Sequence, residues 1–275
     1  MGANTELLLT TDSQRLRGFA NMLYKENRAW WGTYRWWTNA LIWPLLLGGL
    51  VANMLLVSSA FPMDITAEVA RAGGTTAYVM QMGMSVFFEF GIQAIGIGVI
   101  ILSHDLLIGE RHNGVTEWIL TKPVTRHAYI LAKFIANATH ILLFLITIPA
   151  FLTYVLLSLR LGAPFPVLSF CSGVGIMIVH SLFFLTLVLM LGVSLDSRPA
   201  LLGIALGFLL GGNLLAGLVK PLIYLTPSSL PRVAALVAGG QVVRPALLWP
   251  PLLTTILWCG IFSCVALAKF RRAQF

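Results

Sequence analysis

Along this chain Asp, Glu, Lys and Arg are so sparse that they mark off long apolar stretches. The intervals Arg35–Asp64, Lys133–Arg160, Arg160–Asp196, Arg198–Lys220 and Arg244–Lys269 each hold the roughly 20 uncharged residues that a helix needs to cross a hydrocarbon core of about 30 Å. A sixth, Gly83–Leu107, is interrupted only by Glu89 and by Asp105 near its end. The pattern predicts an all-α membrane protein, one transmembrane domain over residues 1–275. Its six transmembrane helices fall at 39–61, 83–107, 128–157, 167–195, 199–220 and 249–268.

Between these runs the pattern changes character. Residues 11–37 mix charges with Phe19, Met22, Leu23, Trp30, Trp31, Trp36 and Trp37, which predicts an amphipathic helix lying in the interface before the first span. Five of the eight tryptophans fall between Trp30 and Trp43, and indole favours the headgroup level. Lys220-Pro221 ends the run over 199–220, and the apolar stretch after it, 221–248 and on to about Pro251, is cut by Pro227, Pro231, Gly239, Gly240, Pro245 and Pro250, so no segment there reaches crossing length. It predicts short re-entrant or interfacial helices on the outer side, whose backbone needs protein or water partners. Within 199–220, Gly203, Gly207 and Gly211 recur every four residues and make one smooth face for close helix packing.

Composition agrees: 58% of residues are hydrophobic and 10% charged, against roughly 45–50% and 25% in an ordinary soluble domain. Little chain is left for a separate soluble catalytic domain, which usually takes about 50 residues or more. The first 30 residues carry Glu6, Asp12, Arg15, Arg17, Lys25, Glu26 and Arg28, which argues against a cleaved signal peptide and for retention of the first span. With both termini cytoplasmic, only Arg71, Arg160, Lys220, Arg232 and Arg244 of the 18 Lys and Arg residues fall outside. That bias sets the orientation in a cell membrane, with a prokaryotic inner or plasma membrane expected. It accounts for the net charge of +8 without nucleic acid. Cys171, Cys259 and Cys264 sit in apolar stretches and read as small hydrophobes, so no disulfide and no metal site is expected. Asn137-Ala138-Thr139 lies inside a span, out of reach of glycosylation. No phosphate loop, H-E-x-x-H helix or G-x-S-x-G elbow occurs, so no catalytic residue is assigned.

Ionisable residues inside the spans are functional candidates because their burial is costly. Counting about 1.5 Å per residue from the inner edge, Glu89 and His180 fall near one depth in the outer half and His140 lies lower. Gln93, one turn from Glu89, shares its face. These four form a candidate polar patch on a translocation path or subunit interface. The competing reading is a neutral Glu and hydrogen-bonded histidines that tie helices together.

The most distinctive polar segment is 109–127, Gly-Glu-Arg-His-Asn-Gly-Val-Thr-Glu-Trp-Ile-Leu-Thr-Lys-Pro-Val-Thr-Arg-His. Val115, Trp118 and Ile119 fall at helical spacing, and Pro123 ends the pattern. Such a short amphipathic helix offers an apolar ridge flanked by charge to a partner groove. With Tyr129-Ile-Leu-Ala-Lys133 after it, the run resembles the signature of the type-2 ABC transporter permeases over about 25 residues. The resemblance implies six spans, an amino-terminal interfacial helix, re-entrant helices between spans five and six, and a cytoplasmic coupling helix between spans two and three that docks on a separate ATPase. By it Glu110, Gly114, Glu117, Pro123 and Arg126 become coupling positions, joined by Arg111, Trp118 and Lys122, with Lys133 fixing the entry of span three. His112-Asn113 departs from the more charged residues of many members and leaves the identity of the ATPase open.

The resulting expectation is the non-catalytic permease subunit of an ABC exporter. Its partners would be two copies of a cytoplasmic ATPase that bind ATP and Mg, a second permease chain, identical or homologous, and membrane lipids. The alternatives are an ATP-independent secondary carrier or a membrane assembly scaffold; a carrier would show internal repeats and broken helices at the midplane, and no convincing repeat is present.

Overall fold

The computed structural model describes residues 16–60, 66–219 and 221–272, and these are helical with no strand among them. The amino-terminal helix α1 is Phe19–Trp31. It stops at Gly32, whose N–H donates to the Arg28 carbonyl while Thr33 N–H donates to that of Trp30, so the helix predicted over 11–37 ends earlier and, among the described residues, begins at Phe19; positions 11–15 lie outside the described residues. The first long helix, α2, then runs Arg35–Ala60 and begins before Asn39 because Trp36 and Trp37 continue it into the interface.

The segment to residue 82, expected as a loop, contains α3 (Thr66–Ala72) and most of α4 (Thr75–Ser85). The second long element thus starts at Thr75. It passes through a π-helical turn, Val86–Phe90, into α5 (Gly91–Ser103). Two short helices follow, α6 (Ile108–His112) and α7 (Val115–Leu120). Next comes α8 (Arg126–His140), a second π segment at Ile141–Thr147, and α9 (Ile148–Leu161). Helix α10 is Val167–Ser194 and α11 is Arg198–Leu218. The re-entrant region holds α12 (Leu222–Leu225), a 3₁₀ turn at Pro227–Ser229 and α13 (Leu230–Ala238). The last helix, α14, runs Pro245–Arg272, four residues earlier than expected, because Pro245 opens it.

Among the described residues five helical stretches are long and apolar enough to cross a membrane: Arg35–Leu56, Thr75–His112, Arg126–Leu161, Val167–Ser194 and Pro245–Arg272. The expected fifth span corresponds to α11, whose apolar part is counted as the shorter Arg198–Gly212. Helix α10 is the centre of the bundle: 67% of its apolar stretch is buried, against 17% for α14, which turns Leu253, Leu257 and Trp258 outward. Helices α5, α13 and α14 surround α10. At Gly173 the approach of α13 is so close that a Cβ would stand 2.8 Å from the Ala238 Cβ and 2.9 Å from the Ala234 carbonyl.

Breaks in the backbone at depth need partners. Thr254 Oγ1 donates to the Tyr224 carbonyl at 2.8 Å and Trp258 Nε1 to the Leu225 carbonyl at 3.2 Å, so α14 supplies donors to α12. The end of the bundle that carries α6 and α7 is the near end, and the end carrying α3 and α13 is the far end.

Candidate functional site

The near end is built around Lys133, buried with only 1% of its side chain exposed. On α8, Tyr129, Lys133 and Asn137 recur every four residues and line one buried stripe. On α1, Met22, Glu26 and Trp30 do the same. The two stripes pack face to face. Lys133 Nζ lies 3.0 Å from Glu26 and 3.0 Å from Glu110 in the first turn of α6. Lys25 reaches both carboxylates as well, at 3.2 Å to Glu26 and in a short contact to Glu110. Two cations and two anions thus close a neutral cluster joining α1, α6 and α8. Burial works against the Lys25 ammonium, but Glu110 and Glu26 outweigh it and hold its pKa above the ordinary lysine value.

The remaining valences are filled. Tyr129 donates its hydroxyl to the second oxygen of Glu110, so the Thr116 hydroxyl, 3.1 Å away, donates to Tyr129. Tyr129 also stacks on Phe270 of α14, centroids 5.1 Å apart. Asn137 takes the indole N–H of Trp30 at 3.1 Å and donates to the Lys133 carbonyl at 2.8 Å. The stretch before α1 is tied in through the backbone, with Thr125 N–H donating to the Arg17 carbonyl at 3.0 Å.

Two arginines of the predicted set bind inside the chain. Arg111 donates to the carbonyls of Gly192 at 2.8 Å and Leu195, at the carboxyl end of α10, and pairs with Asp196 at 3.3 Å. Arg126 donates to the Phe270 carbonyl at 3.3 Å and to that of Arg271, at the end of α14. A cation there answers both the orphan carbonyls and the negative pole of the helix. Arg198 and Asp105 make an exposed pair at 2.6 Å, which contributes little to stability.

The other predicted positions divide by exposure. Gly114 caps α7 with φ +67°, a conformation that costs any side chain energy, while no described atom stands within 4 Å of where its Cβ would be. Helix α7 buries Thr116 and Ile119 and exposes Glu117 and Trp118. Lys122 Nζ sits 3.5 Å from the centre of the Trp118 ring, a cation–π contact on the outer surface of the segment. Pro123 is exposed and separates α7 from α8, which Thr125 caps by accepting from Ala128 N–H at 3.2 Å.

The four intramembrane candidates do not converge. His140 stacks on Trp30 at 4.8 Å with planes 7° apart and donates from Nδ1 to the Ala136 carbonyl, so it belongs to the near-end junction. His180, 1% exposed, lines a void of about 10 Å³ with Gln93, room for at most one water. Glu89 faces a different space, a far-end cavity described below. Gly203 and Gly207 are exposed and Gly211 half-buried, with no described atom against any of them, while Leu201, Ala205 and Leu209 face inward. Sequence reading missed Lys25, Glu26, Trp30 and Asn137. Its available signal was Glu26 itself, a charge at the centre of the Met22–Trp30 stripe, opposite a second charged stripe on α8.

Among the described residues, five apolar crossing-length helices, an amphipathic helix at their entry and a charge-clamped segment at one end define a multi-pass membrane protein. The chain belongs to the type-2 ABC transporter permeases: the family described as ABC-2 family transporter protein matches residues 21–274, nearly the whole chain. Members of that family are membrane subunits that are not themselves catalytic and imply an ABC ATPase partner. No individual curated protein matches the sequence.

Proposed function

We propose that this chain is the permease subunit of an ABC exporter in a prokaryotic cell membrane. Both termini and the near end face the cytoplasm, and residues 109–127 dock on a separate ATPase that binds ATP and Mg. Helix α11 is the sixth span: its 21 residues extend about 31 Å, enough to cross. Two ATPase copies serve two permeases, and the unfilled glycine face of α11, with the outward apolar residues of α2, suits the second permease chain.

One observation carries the coupling reading. The segment that exposes Glu117, Trp118 and Lys122 is bonded to α1, α8, α10 and α14 at once. A displacement of α7 by the ATPase therefore reaches the interfacial helix and three long helices through ion pairs and carbonyl caps, with no catalytic group needed in this chain. Only a difference in binding between nucleotide states can drive that displacement.

The test is purification of the tagged chain in mild detergent, identification of co-purifying subunits, and ATP hydrolysis assayed with and without Glu117→Lys. A stoichiometric ATPase that is lost or uncoupled by the substitution supports the proposal. A chain that purifies with no nucleotide-binding partner overturns it in favour of an ATP-independent carrier or scaffold.

A further inference from the structure

The far end holds a cavity of about 660 Å³ between α4, the first π turn, the end of α9 and α13. Its polar lining includes Gln81, Ser85, Glu89, Arg232 and Gln241, and its apolar lining Met80, Met84, Phe165 and Leu236. It continues into a neighbouring space of about 420 Å³ that shares Gln81, Ser85 and Gln241 and adds Arg71 and Tyr78. The lining thus combines one carboxylate, guanidiniums from two separate elements, neutral amides and an apolar wall.

Charge is treated differently here than at the near end. There each carboxylate of the Lys133 cluster meets an ammonium within 3.2 Å. Here neither Glu89 nor Arg232 makes an ion pair among the described residues, although both line the same cavity. Glu89 stands on a π-helical turn, a distortion that recurs at functional sites and that here interrupts an otherwise regular helix. In the same turn Phe87 and Phe88 meet edge to face, and Phe88 and Tyr154 pack edge to face on Phe170 of α10. A carboxylate and a guanidinium that line one apolar-walled space, neither in an ion pair among the described residues, match a molecule with an ammonium, an anionic group and a hydrophobic part.

We propose that this cavity binds a zwitterionic amphiphile, its ammonium on Glu89 and its phosphate or carboxylate on Arg232. The volume lies within the range of ordinary ligand sites and fits a head group with the beginning of an acyl chain. This chemistry is that of an aminophospholipid head group or of a soluble amino-phosphate. The inference deepens the transporter reading by naming a ligand class, but binding is measured without ATPase or nucleotide, so failed coupling and failed binding are seen separately.

The experiment uses the purified full chain in detergent, titrated with phosphatidylethanolamine or with phosphatidylglycerol of identical chains, and reads bound lipid by native mass spectrometry. Phosphatidylethanolamine is expected to bind about tenfold more tightly, the worth of one charge-assisted hydrogen bond. Glu89→Gln should abolish that preference, Glu89→Asp should restore part of it, and Arg232→Gln should weaken both lipids. Arg232 is exposed on α13, so its variant keeps the test open if Glu89 variants fold poorly. Displacement of the lipid by free phosphoethanolamine supports the proposal with a soluble ligand, and retention against it supports the proposal with a lipid. Equal binding of the two lipids by the unaltered chain, or a preference that survives Glu89→Gln, overturns it.

Discussion

Replacing Lys133 with Met tests whether the near-end cluster is held by charge or only by packing. Methionine keeps the length and apolar stem of lysine but removes the cation that lies 3.0 Å from both Glu26 and Glu110. Two carboxylates then share a site where Glu26 is 5% exposed, with only the half-exposed Lys25 between them. Breaking a buried pair by deleting one partner costs about 3–5 kcal/mol. Because Lys25 still touches both carboxylates, the low end applies, about 3 kcal/mol. For a chain of this size that is a fall in Tm of roughly 6–12 °C. The assay is thermal unfolding in detergent followed by tryptophan fluorescence, since Trp30 sits in the junction and bonds to Asn137. Adding Glu110→Gln to Lys133→Met should recover at least about 1 kcal/mol, because the second substitution removes the uncompensated charge. An unchanged Tm for the single variant, or strict additivity of the two, would refute the account.

Other substitutions separate structure from docking. Gly114→Ala places a Cβ at φ +67° and should destabilise by about 1–2 kcal/mol, read as a lower Tm with no change in helix content. Trp118→Ala removes a side chain 60% exposed, so Tm should move by no more than about 0.5 kcal/mol equivalent, while recovery of the ATPase subunit on the tagged chain falls. Arg126→Gln leaves the last carbonyls of α14 without their cation, and amide exchange in its final turn should quicken while α10, capped by Arg111, stays protected. Gly173→Val drives methyls into Ala238 and the Ala234 carbonyl and should cost about 1–3 kcal/mol, with the far-end helix α13 the first to gain protease sensitivity.

The long helices were legible because charge is excluded from the bilayer core, so the intervals between charges outlined them. Their ends were not, since Arg35 and Arg126 begin helices whose first turns are polar and interfacial. The π segments leave no trace in composition: one extra residue per turn changes neither hydropathy nor spacing of charges. Segment 109–127 stood out by its polarity and the helical spacing of Val115, Trp118 and Ile119, and only the resemblance drew attention to Lys133 beyond it. What no local pattern conveyed is that Arg111 and Arg126 turn inward to carbonyls 81 and 145 positions away in the chain. Depth counting also placed Glu89 beside His180, yet depth fixes height and not azimuth, and the two line separate spaces.

The two arginine caps bear on how this region tolerates changes of length. Most surface loops accept insertions because only closure entropy is at stake, growing slowly with each added residue. Residues 111–126 are anchored at both ends, one guanidinium on the terminus of α10 and the other on the terminus of α14. A single added or deleted residue between them pulls one cap off its carbonyls or forces α7 out of line. Homologous chains should therefore keep the length of this segment nearly constant, and engineered tags or loop grafts belong outside it.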